Sequence, residues 1–283
     1  MASPRRRRRF RFKRRKLDLK KTLFLLPNMI TLSSVFCGFY SMVLASRAVT
    51  AADFQRAALL IVFAMFFDML DGRVARMTKT QSAFGLQIDS LADVVSFGAA
   101  PALLMYYWSL HRLGLLGLLG GFAFVACGAI RLARFNVLSM DDSGAPQKPG
   151  KYIMGLPIPG GAAVLVSLVV ANEATGGTIG DRHASLLLVT TFVVAGLMVS
   201  SLKFRSFKDL ALNGRSIALV AFALGTSGLI AMRWTPAFVL AWLLGFYVGL
   251  ALCEWLVAVP RRSRDYVRSL FQDEDGSAVP HEE

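Results

Sequence analysis

Four aspartates stand within 26 residues of an otherwise apolar part of the chain. Asp68 and Asp71 are three residues apart, and Asp89 and Asp93 are four apart. On helices these spacings place each pair on one face. Acids within apolar segments are costly and usually belong to functional sites. Carboxylates this close repel one another unless a cation lies between them, and oxygen ligands suit Mg²⁺, Mn²⁺ or Ca²⁺ rather than zinc or copper.

The residues around these acids predict a site for divalent cations and phosphate. Mg²⁺ binds few carboxylates and completes its coordination with phosphate oxygens, and four carboxylates could hold two ions around one phosphoryl group. Gly72, Ala75 and Gly85 share the faces of the acids and leave room for close helix packing or for a ligand. Arg76 could reach a phosphate. The alternative is that the acids form ion pairs with nearby Arg and Lys. Ion pairing explains four acids at helical spacing less well than a cation site does.

The elements that must position these residues are membrane helices. The chain has 283 residues, of which 55% are hydrophobic, and its mean hydropathy is +0.52. Charged residues make up 18%, below the roughly 25% of soluble domains. Apolar runs of spanning length predict eight helices, at about 22–46, 51–72, 84–108, 113–138, 156–172, 184–201, 215–232 and 235–258. We therefore predict an all-α, polytopic integral membrane protein.

The charge distribution predicts the domain organisation and the orientation. Residues 1–21 hold twelve Lys or Arg and one acid, Asp18, within a chain of net charge +14. We expect this arm to lie on anionic membrane lipids rather than to bind nucleic acid. Lys and Arg also favour the connections on the same side, which predicts that both termini are cytoplasmic and that the span number is even. A transmembrane domain over 22–260 and a tail over 261–283 complete the organisation.

The four aspartates belong to a longer pattern. From Asp68 to Asp93 the chain reads D-x-x-D-G-x-x-A-R, then eight residues, then G-x-x-x-D-x-x-x-D. This resembles the signature of the CDP-alcohol phosphatidyltransferase family at every specified position. The resemblance implies transfer of a phosphatidyl group from a CDP-linked lipid to an alcohol, with release of CMP. It also implies an inner-membrane enzyme with its active site at the cytoplasmic side.

The resemblance implies a role for each position of the signature. Asp68, Asp71 and Asp89 are expected to bind two Mg²⁺ or Mn²⁺ ions, with Asp93 completing the metal site. Asp93 is also the expected general base on the acceptor hydroxyl. The residues expected to bind CDP are Asn28, Thr31, Asp68, Gly72, Ala75, Arg76 and Gly85.

Asn28 and Thr31 enter this set through a second motif. "LPNMIT", Leu26 to Thr31, resembles a P-N-x-x-T element common in the family. The two residues are three apart and could face the nucleotide. A polar helix start is the alternative interpretation.

Three further stretches bear on the acceptor alcohol. "AIRLARFNV" from Ala129, "MGLPIPGGAA" from Met154 and "MVSSLKFRSFKDL" from Met198 are similar to the phosphatidylserine synthase branch of the family. The resemblance implies that the substrates are CDP-diacylglycerol and L-serine, whose carboxylate needs a cation. The candidate cations are Arg131, Arg134, Lys151 and Lys203. They could instead bind lipid phosphates, or reflect only the orientation rule.

Other interpretations remain open at this stage. Glycerol 3-phosphate or an inositol-type alcohol could be the acceptor. A cation transporter could use acids along an ion path, although it would place them near the bilayer midplane, and a lipid-binding scaffold would not need them. Gly117 and Gly121 form a GxxxG motif, whose partner helix could be in this chain or in the second copy of a homodimer.

Overall fold

The computed structural model describes residues 19–78, 80, 82–138, 152–174, 176–200 and 202–205, together with isolated positions between 222 and 249. The predicted all-α architecture is confirmed for these residues, apart from one small two-stranded sheet. The predicted helices at 215–232 and 235–258 lie mostly outside the described residues. Of the basic arm over 1–21, residues 1–18 lie outside them, and 19–21 belong to the first helix. The tail over 261–283 also lies outside the described residues.

Eight α-helices are present in the described part of the chain. They are α1 (Leu19–Arg47), α2 (Ala51–Thr78), α3 (Ala83–Asp93), α4 (Ala100–Trp108), α5 (Leu115–Leu138), α6 (Ile158–Ala174), α7 (Ile179–Arg182) and α8 (Ala184–Val199). A π-helical turn, Val94–Ala99, joins α3 to α4 without a break in the helical backbone. A 3₁₀ turn, Leu110–Leu113, precedes α5.

Three of the described segments are long and apolar enough to cross a membrane. They are Leu26–Arg47, Ala83–Trp108 and Leu115–Leu138. The helix α2 is of similar length but carries charged residues near both ends, including Asp53 and Asp71. The helices α6 and α8 are apolar and shorter. Among the described residues, three of the eight predicted spans are therefore supported by both length and apolar composition.

Several helix boundaries differ from the predicted ones for local reasons. The helix α2 continues to Thr78 rather than ending at residue 72, because no Gly-Pro break follows the aspartates, and Arg76 therefore lies on a helix. The helix α5 begins at Leu115, two residues later than predicted, because Gly114 has a φ of +55° that interrupts the helix. Ser82 caps α3 by accepting a hydrogen bond of 3.0 Å from the Gly85 N–H.

Because the connections are short, successive long helices run in opposite directions through the bundle. The helices α1 and α2 are joined through residues 48–50 and pack along each other, and α1 also packs against α3 and the π-helical turn. The start of α1, the end of α2 and the start of α3 therefore meet at one end of the bundle, which we call the site end. The end of α5 and the start of α6 reach the same end, as does the end of α8.

A two-stranded sheet closes the site end. The strands β1 (Tyr152–Met154) and β2 (Lys203–Arg205) pair in antiparallel register. Gly155 follows β1 with a φ of +75°, and a Cβ there would collide with the Met198 carbonyl. Backbone bonds from Gly155 N to Leu202 O (2.8 Å) and from Leu156 N to Leu197 O (3.0 Å) join the entry of α6 to the exit of α8. The "GLPIP" segment is therefore held by backbone contacts.

The GxxxG surface of α5 is used inside the chain. A Cβ on Gly117 would collide with the Leu110 carbonyl, and one on Gly121 would lie 3.6 Å from the Ala102 carbonyl. A Cβ on Gly120 would also collide with the Leu188 side chain of α8. These glycines therefore let α4, the 3₁₀ turn and α8 pack against α5. Of the two interpretations of this motif, the structure shows the contact within the chain.

Candidate active site

Three of the four predicted metal ligands converge at the site end. Asp68 and Asp71 from α2 and Asp89 from α3 each offer one carboxylate oxygen, and these three oxygens lie within 4.8 Å of one another. Asp71 is buried, at 5% exposure, and the other two carboxylates are half-buried. Two helices joined by a short connection therefore bring the two aspartate stripes face to face, as their spacing predicted.

A hydroxyl from a third helix contacts this cluster. Thr31 Oγ1 of α1 donates a hydrogen bond of 2.6 Å to Asp71 Oδ2. Thr31 is also 5% exposed. The sequence interpretation made Thr31 a nucleotide contact, and in the structure its hydroxyl is engaged by a carboxylate of the acidic cluster.

Asp93 lies beside the cluster without belonging to it. It is on the last turn of α3, where its carboxyl contacts Asp68 and faces both Asp89 and Arg131. Its Oδ1 atom is buried and has no hydrogen-bond partner among the residues that the structure describes. A buried oxygen of this kind calls for a partner, which the described residues do not provide. Asp93 is therefore placed to accept a proton or a hydrogen bond from a substrate.

The two candidate arginines of α5 lie in different environments. Arg131 is only 9% exposed, faces Asp93 and holds its guanidinium 5.9 Å from the centroid of the Phe135 ring. Its Nε atom is buried and finds no hydrogen-bond partner within the described part of the chain. Arg134 is exposed. Helical spacing alone suggested one shared face, but the structure buries Arg131 beside Asp93 and leaves Arg134 exposed.

A polar contact that the sequence interpretation missed joins α5 to α3. Asn136 Nδ2 donates a hydrogen bond of 2.9 Å to Ser90 Oγ, and Ser90 Oγ in turn donates one of 3.1 Å to the Leu86 carbonyl. Ser90 stands next to Asp89. The signal was present, because Asn136 belongs to the quoted "RLARFN" stretch, but nothing in one sequence indicates which distant side chain an asparagine binds.

The other residues predicted to bind CDP surround the cluster. Asn28 of α1 approaches Gly85 of α3, since a Cβ on that glycine would lie 3.9 Å from Asn28 Oδ1. The exposed Arg76 folds back over Gly72, with Nη1 3.5 Å from the position of a Cβ on that glycine. Ala75 is half-buried on the same helix. The glycines thus leave space that neighbouring polar side chains border.

The side chains of two candidate cations lie outside the described part of the chain. Lys151 lies outside the described residues. Lys203 begins β2, so its backbone is at the site end, but its side chain is not described. Neither residue can therefore be compared with Arg131.

The donor set fits a hard divalent cation. Three carboxylate oxygens converge here, and their mutual separation is compatible with a common ion. Asp93, whose Oδ1 has no hydrogen-bond partner among the described residues, interacts with Asp68 and Asp89 of the cluster and with the buried Arg131. The arrangement can therefore combine metal-bound phosphate, an anion site and a proton acceptor.

A comparison with protein families agrees with this chemistry. Residues 24–199 match the model of the CDP-alcohol phosphatidyltransferase family. The chain belongs to the CDP-alcohol phosphatidyltransferase family. The matched segment runs from α1 to the end of α8 and contains all four aspartates. The membership and the apolar helices together make this a membrane protein.

Similar members of the CDP-alcohol phosphatidyltransferase family have been named. A CDP-diacylglycerol–serine O-phosphatidyltransferase of Helicobacter pylori is 38% identical over 234 residues, which cover 83% of this chain and 92% of that protein. One of Bacillus subtilis is 33% identical over 183 residues, or 65% of this chain and 91% of that protein. An archaetidylserine synthase of Methanothermobacter thermautotrophicus is 34% identical over 190 residues, or 66% and 72% respectively.

Proposed function

We propose that this chain transfers the phosphatidyl group of CDP-diacylglycerol to the hydroxyl of L-serine, giving phosphatidylserine and CMP. The observation that carries the proposal is the convergence of Asp68, Asp71 and Asp89 beside Asp93 and Arg131. Relatives named for serine transfer, similar along most of their own length, support the choice of acceptor. The archaetidylserine synthase also supports serine as the acceptor, because its name includes serine although it names a different lipid.

The three converging aspartates hold Mg²⁺ or Mn²⁺, and two ions are the number that suits a pyrophosphate clamp. Bound ions would polarise the pyrophosphate and offset the charge that develops on CMP. Around them, Asn28, Gly72, Ala75, Arg76 and Gly85 form the CDP pocket. The glycines lie where the nucleotide needs space, and the Arg76 guanidinium beside Gly72 can reach a phosphate.

Asp93 is the general base. The serine hydroxyl holds its proton tightly and needs a nearby acceptor as its oxygen attacks phosphorus. Asp93 Oδ1, which is buried and accepts no hydrogen bond within the described part of the chain, is such an acceptor. Its place next to the metal ligands keeps the hydroxyl close to the lipid-side phosphate. The proton moves to Asp93 and the bond between that phosphate and CMP breaks.

Arg131 binds the carboxylate of serine. A guanidinium can pair with a carboxylate in a bidentate manner, and Arg131 faces the proposed base from the neighbouring helix. When Arg131 pairs with the serine carboxylate, neither of these two charged groups is buried without a partner. Binding of a lipid phosphate is the alternative role. Arg134, Lys151 and Lys203 are secondary candidates for the same anions.

The proposal extends to the setting of the enzyme. The transmembrane domain covers 22–260 and has about eight spans in the inner membrane. The basic arm over 1–21 and the tail over 261–283 lie in the cytoplasm. The site end then faces the cytoplasm, where CMP leaves and serine arrives, while the acyl chains remain in the bilayer. The arm lies on anionic lipids. The chain acts as a homodimer, whose contact lies elsewhere than at the glycines of α5.

One assay tests the proposed function. The purified full-length protein is incubated with CDP-diacylglycerol and Mn²⁺ or Mg²⁺, and labelled serine, glycerol 3-phosphate and inositol are supplied in separate reactions. We expect release of CMP that depends on serine, and labelled phosphatidylserine. The matched control is the Asp53→Asn protein, whose changed acid lies at the opposite end of α2 and bonds to Thr50.

The outcomes separate the alternatives. CMP release that depends on glycerol 3-phosphate or inositol, with none from serine, would keep the reaction class and replace the acceptor. Absence of CMP release with every alcohol would overturn the enzyme assignment. Uptake of Mn²⁺ into proteoliposomes under those conditions would favour a transporter instead.

A further inference from the structure

We propose that Thr31 positions the metal ligand Asp71, rather than serving chiefly as a nucleotide contact. Thr31 Oγ1 and Asp71 Oδ2 are 2.6 Å apart, across two helices and 40 positions of sequence. The inference rests on the proposed metal role of Asp71 and adds a residue from α1 to the metal site.

The face of α1 that carries Thr31 is turned towards the other helices. Pro27, Thr31, Ser34 and Gly38 are all buried and follow one another at intervals of three or four residues. Met29 and Leu32, on other faces, are exposed. The Thr31 side chain therefore lies in the packed interface of α1 with α2.

The Thr31 hydroxyl has two acceptors within reach. It lies 2.6 Å from Asp71 Oδ2 and 3.1 Å from the Pro27 carbonyl. A hydroxyl has one proton to donate, and a bond to a charged carboxylate is shorter and about twice as strong as one to a neutral carbonyl. The proton therefore goes to Asp71.

This bond restricts the rotation of the Asp71 carboxylate. A carboxylate that coordinates a cation must direct a lone pair at it, and a donor held by a third helix keeps the plane of the group in one orientation. Partners of this type commonly affect metal affinity by about 10- to 100-fold. The backbone of Gly72 also hydrogen-bonds to the Asp71 carboxylate, but Gly72 is on the same helix, whereas Thr31 holds the carboxylate from α1.

The test measures metal binding without substrate. Full-length wild-type and Thr31→Val proteins in detergent are titrated with Mn²⁺, and free Mn²⁺ is followed by its electron paramagnetic resonance signal. Valine keeps the shape of threonine and removes the hydroxyl. We expect the Kd for Mn²⁺ to rise about 10-fold, and Thr31→Ser, which retains the hydroxyl, to bind within about twofold of wild type.

Two controls separate positioning from general damage. Ser33→Ala removes a hydroxyl of the same helix that bonds to the Met29 carbonyl, at 3.0 Å, and should leave the Kd unchanged. In an Asp71→Asn background, Thr31→Val should cause no further loss, because the two residues act through one bond. If Thr31→Val proves unstable, Thr31→Ala, which also lacks the hydroxyl, replaces it in both titrations.

The opposite results would overturn the inference. A Thr31→Val protein with wild-type Mn²⁺ affinity and weaker CDP binding would make Thr31 a nucleotide contact. Additive losses in the Asp71→Asn background would mean that the bond does not act on the metal site. Failure of serine transfer would leave these binding results intact, so the inference and the proposed function can fail separately.

Discussion

Asn136, near the end of α5, donates a 2.9 Å hydrogen bond to Ser90, which lies between Asp89 and Asp93 on α3. The helix α5 also carries Arg131, five residues before Asn136. This single bond therefore joins the element that bears the buried guanidinium to the element that bears two of the acids. Together with the packing of α5 against α4 and the π-helical turn, it holds the proposed acceptor site beside the proposed base.

Removal of either partner of this bond should weaken use of serine more than use of CDP-diacylglycerol. We expect Asn136→Ala and Ser90→Ala each to raise the KM for serine several-fold, because α5 can shift relative to Asp93. The double variant should be no worse than the single ones, with a coupling energy of about 0.5–3 kcal/mol. Ser46→Ala, which removes a hydroxyl bonded to its own helix at Val43, is the control. Equal effects on both substrates would point to general loss of stability.

Asp89→Asn should weaken metal binding at the site strongly, to an affinity that Mn²⁺ titration still measures. The change removes one of three converging charges and one ligand oxygen, so activity at ordinary Mn²⁺ concentrations should fall by at least about 100-fold, an extent typical of lost electrostatic stabilisation. Titration with Mn²⁺ and a CMP-release assay measure the two effects. Dialysis of the wild-type protein against a chelator should reproduce the loss, and added Mn²⁺ should restore it only in the wild type.

Asp93→Asn should separate proton transfer from metal binding. An amide cannot accept the proton of serine, so kcat should fall by about 100- to 10,000-fold. Because Asp93 is not among the three oxygens that converge, its Mn²⁺ affinity should fall less than that of Asp89→Asn. Full activity in Asp93→Asn would refute its role as the base.

Arg131→Lys should impair recognition of the serine carboxylate. Lysine keeps the charge but loses the planar pair of donors. Loss of a hydrogen bond to a charged group costs about 1.5–3 kcal/mol, so the KM for serine should rise about 10- to 100-fold while that for CDP-diacylglycerol changes little. The matched control is Arg134→Lys, on the exposed side of the same helix. A rise confined to the CDP-diacylglycerol KM would assign Arg131 to a lipid phosphate.

Gly38→Ala should destabilise the protein by perturbing the helix that follows Asp93. A Cβ on Gly38 would lie 2.7 Å from Ser96 Cα, a backbone atom of the π-helical turn. Overpacking of this kind costs about 1–3 kcal/mol, which thermal unfolding in detergent would register as a lower midpoint. Gly196→Ala, on α8, has open space around its Cβ position and should not lower the midpoint.

Much of the site could be predicted because its motif is local. Spacings of three and four residues place Asp68 with Asp71 and Asp89 with Asp93 on helix faces, and the short connection between α2 and α3 brings those faces together. The same reasoning could not separate Asp93 from the other three, since the packing against α1 and α5 determines how deeply each carboxylate lies. It also could not distinguish Arg131 from Arg134, whose directions differ by less than a third of a turn.

The sequence by itself determined the family, the apolar helices and the acids that can bind a metal, because helical periodicity and residue chemistry are local properties. Only the tertiary structure decided that Thr31 bonds to Asp71, that Asn136 bonds to Ser90, and that the glycines of α5 pack within the chain. Those contacts join residues 40 or more positions apart, or depend on the rotation of one helix against another. Steric fit of all the helices together fixes these rotations, and no single helix encodes them.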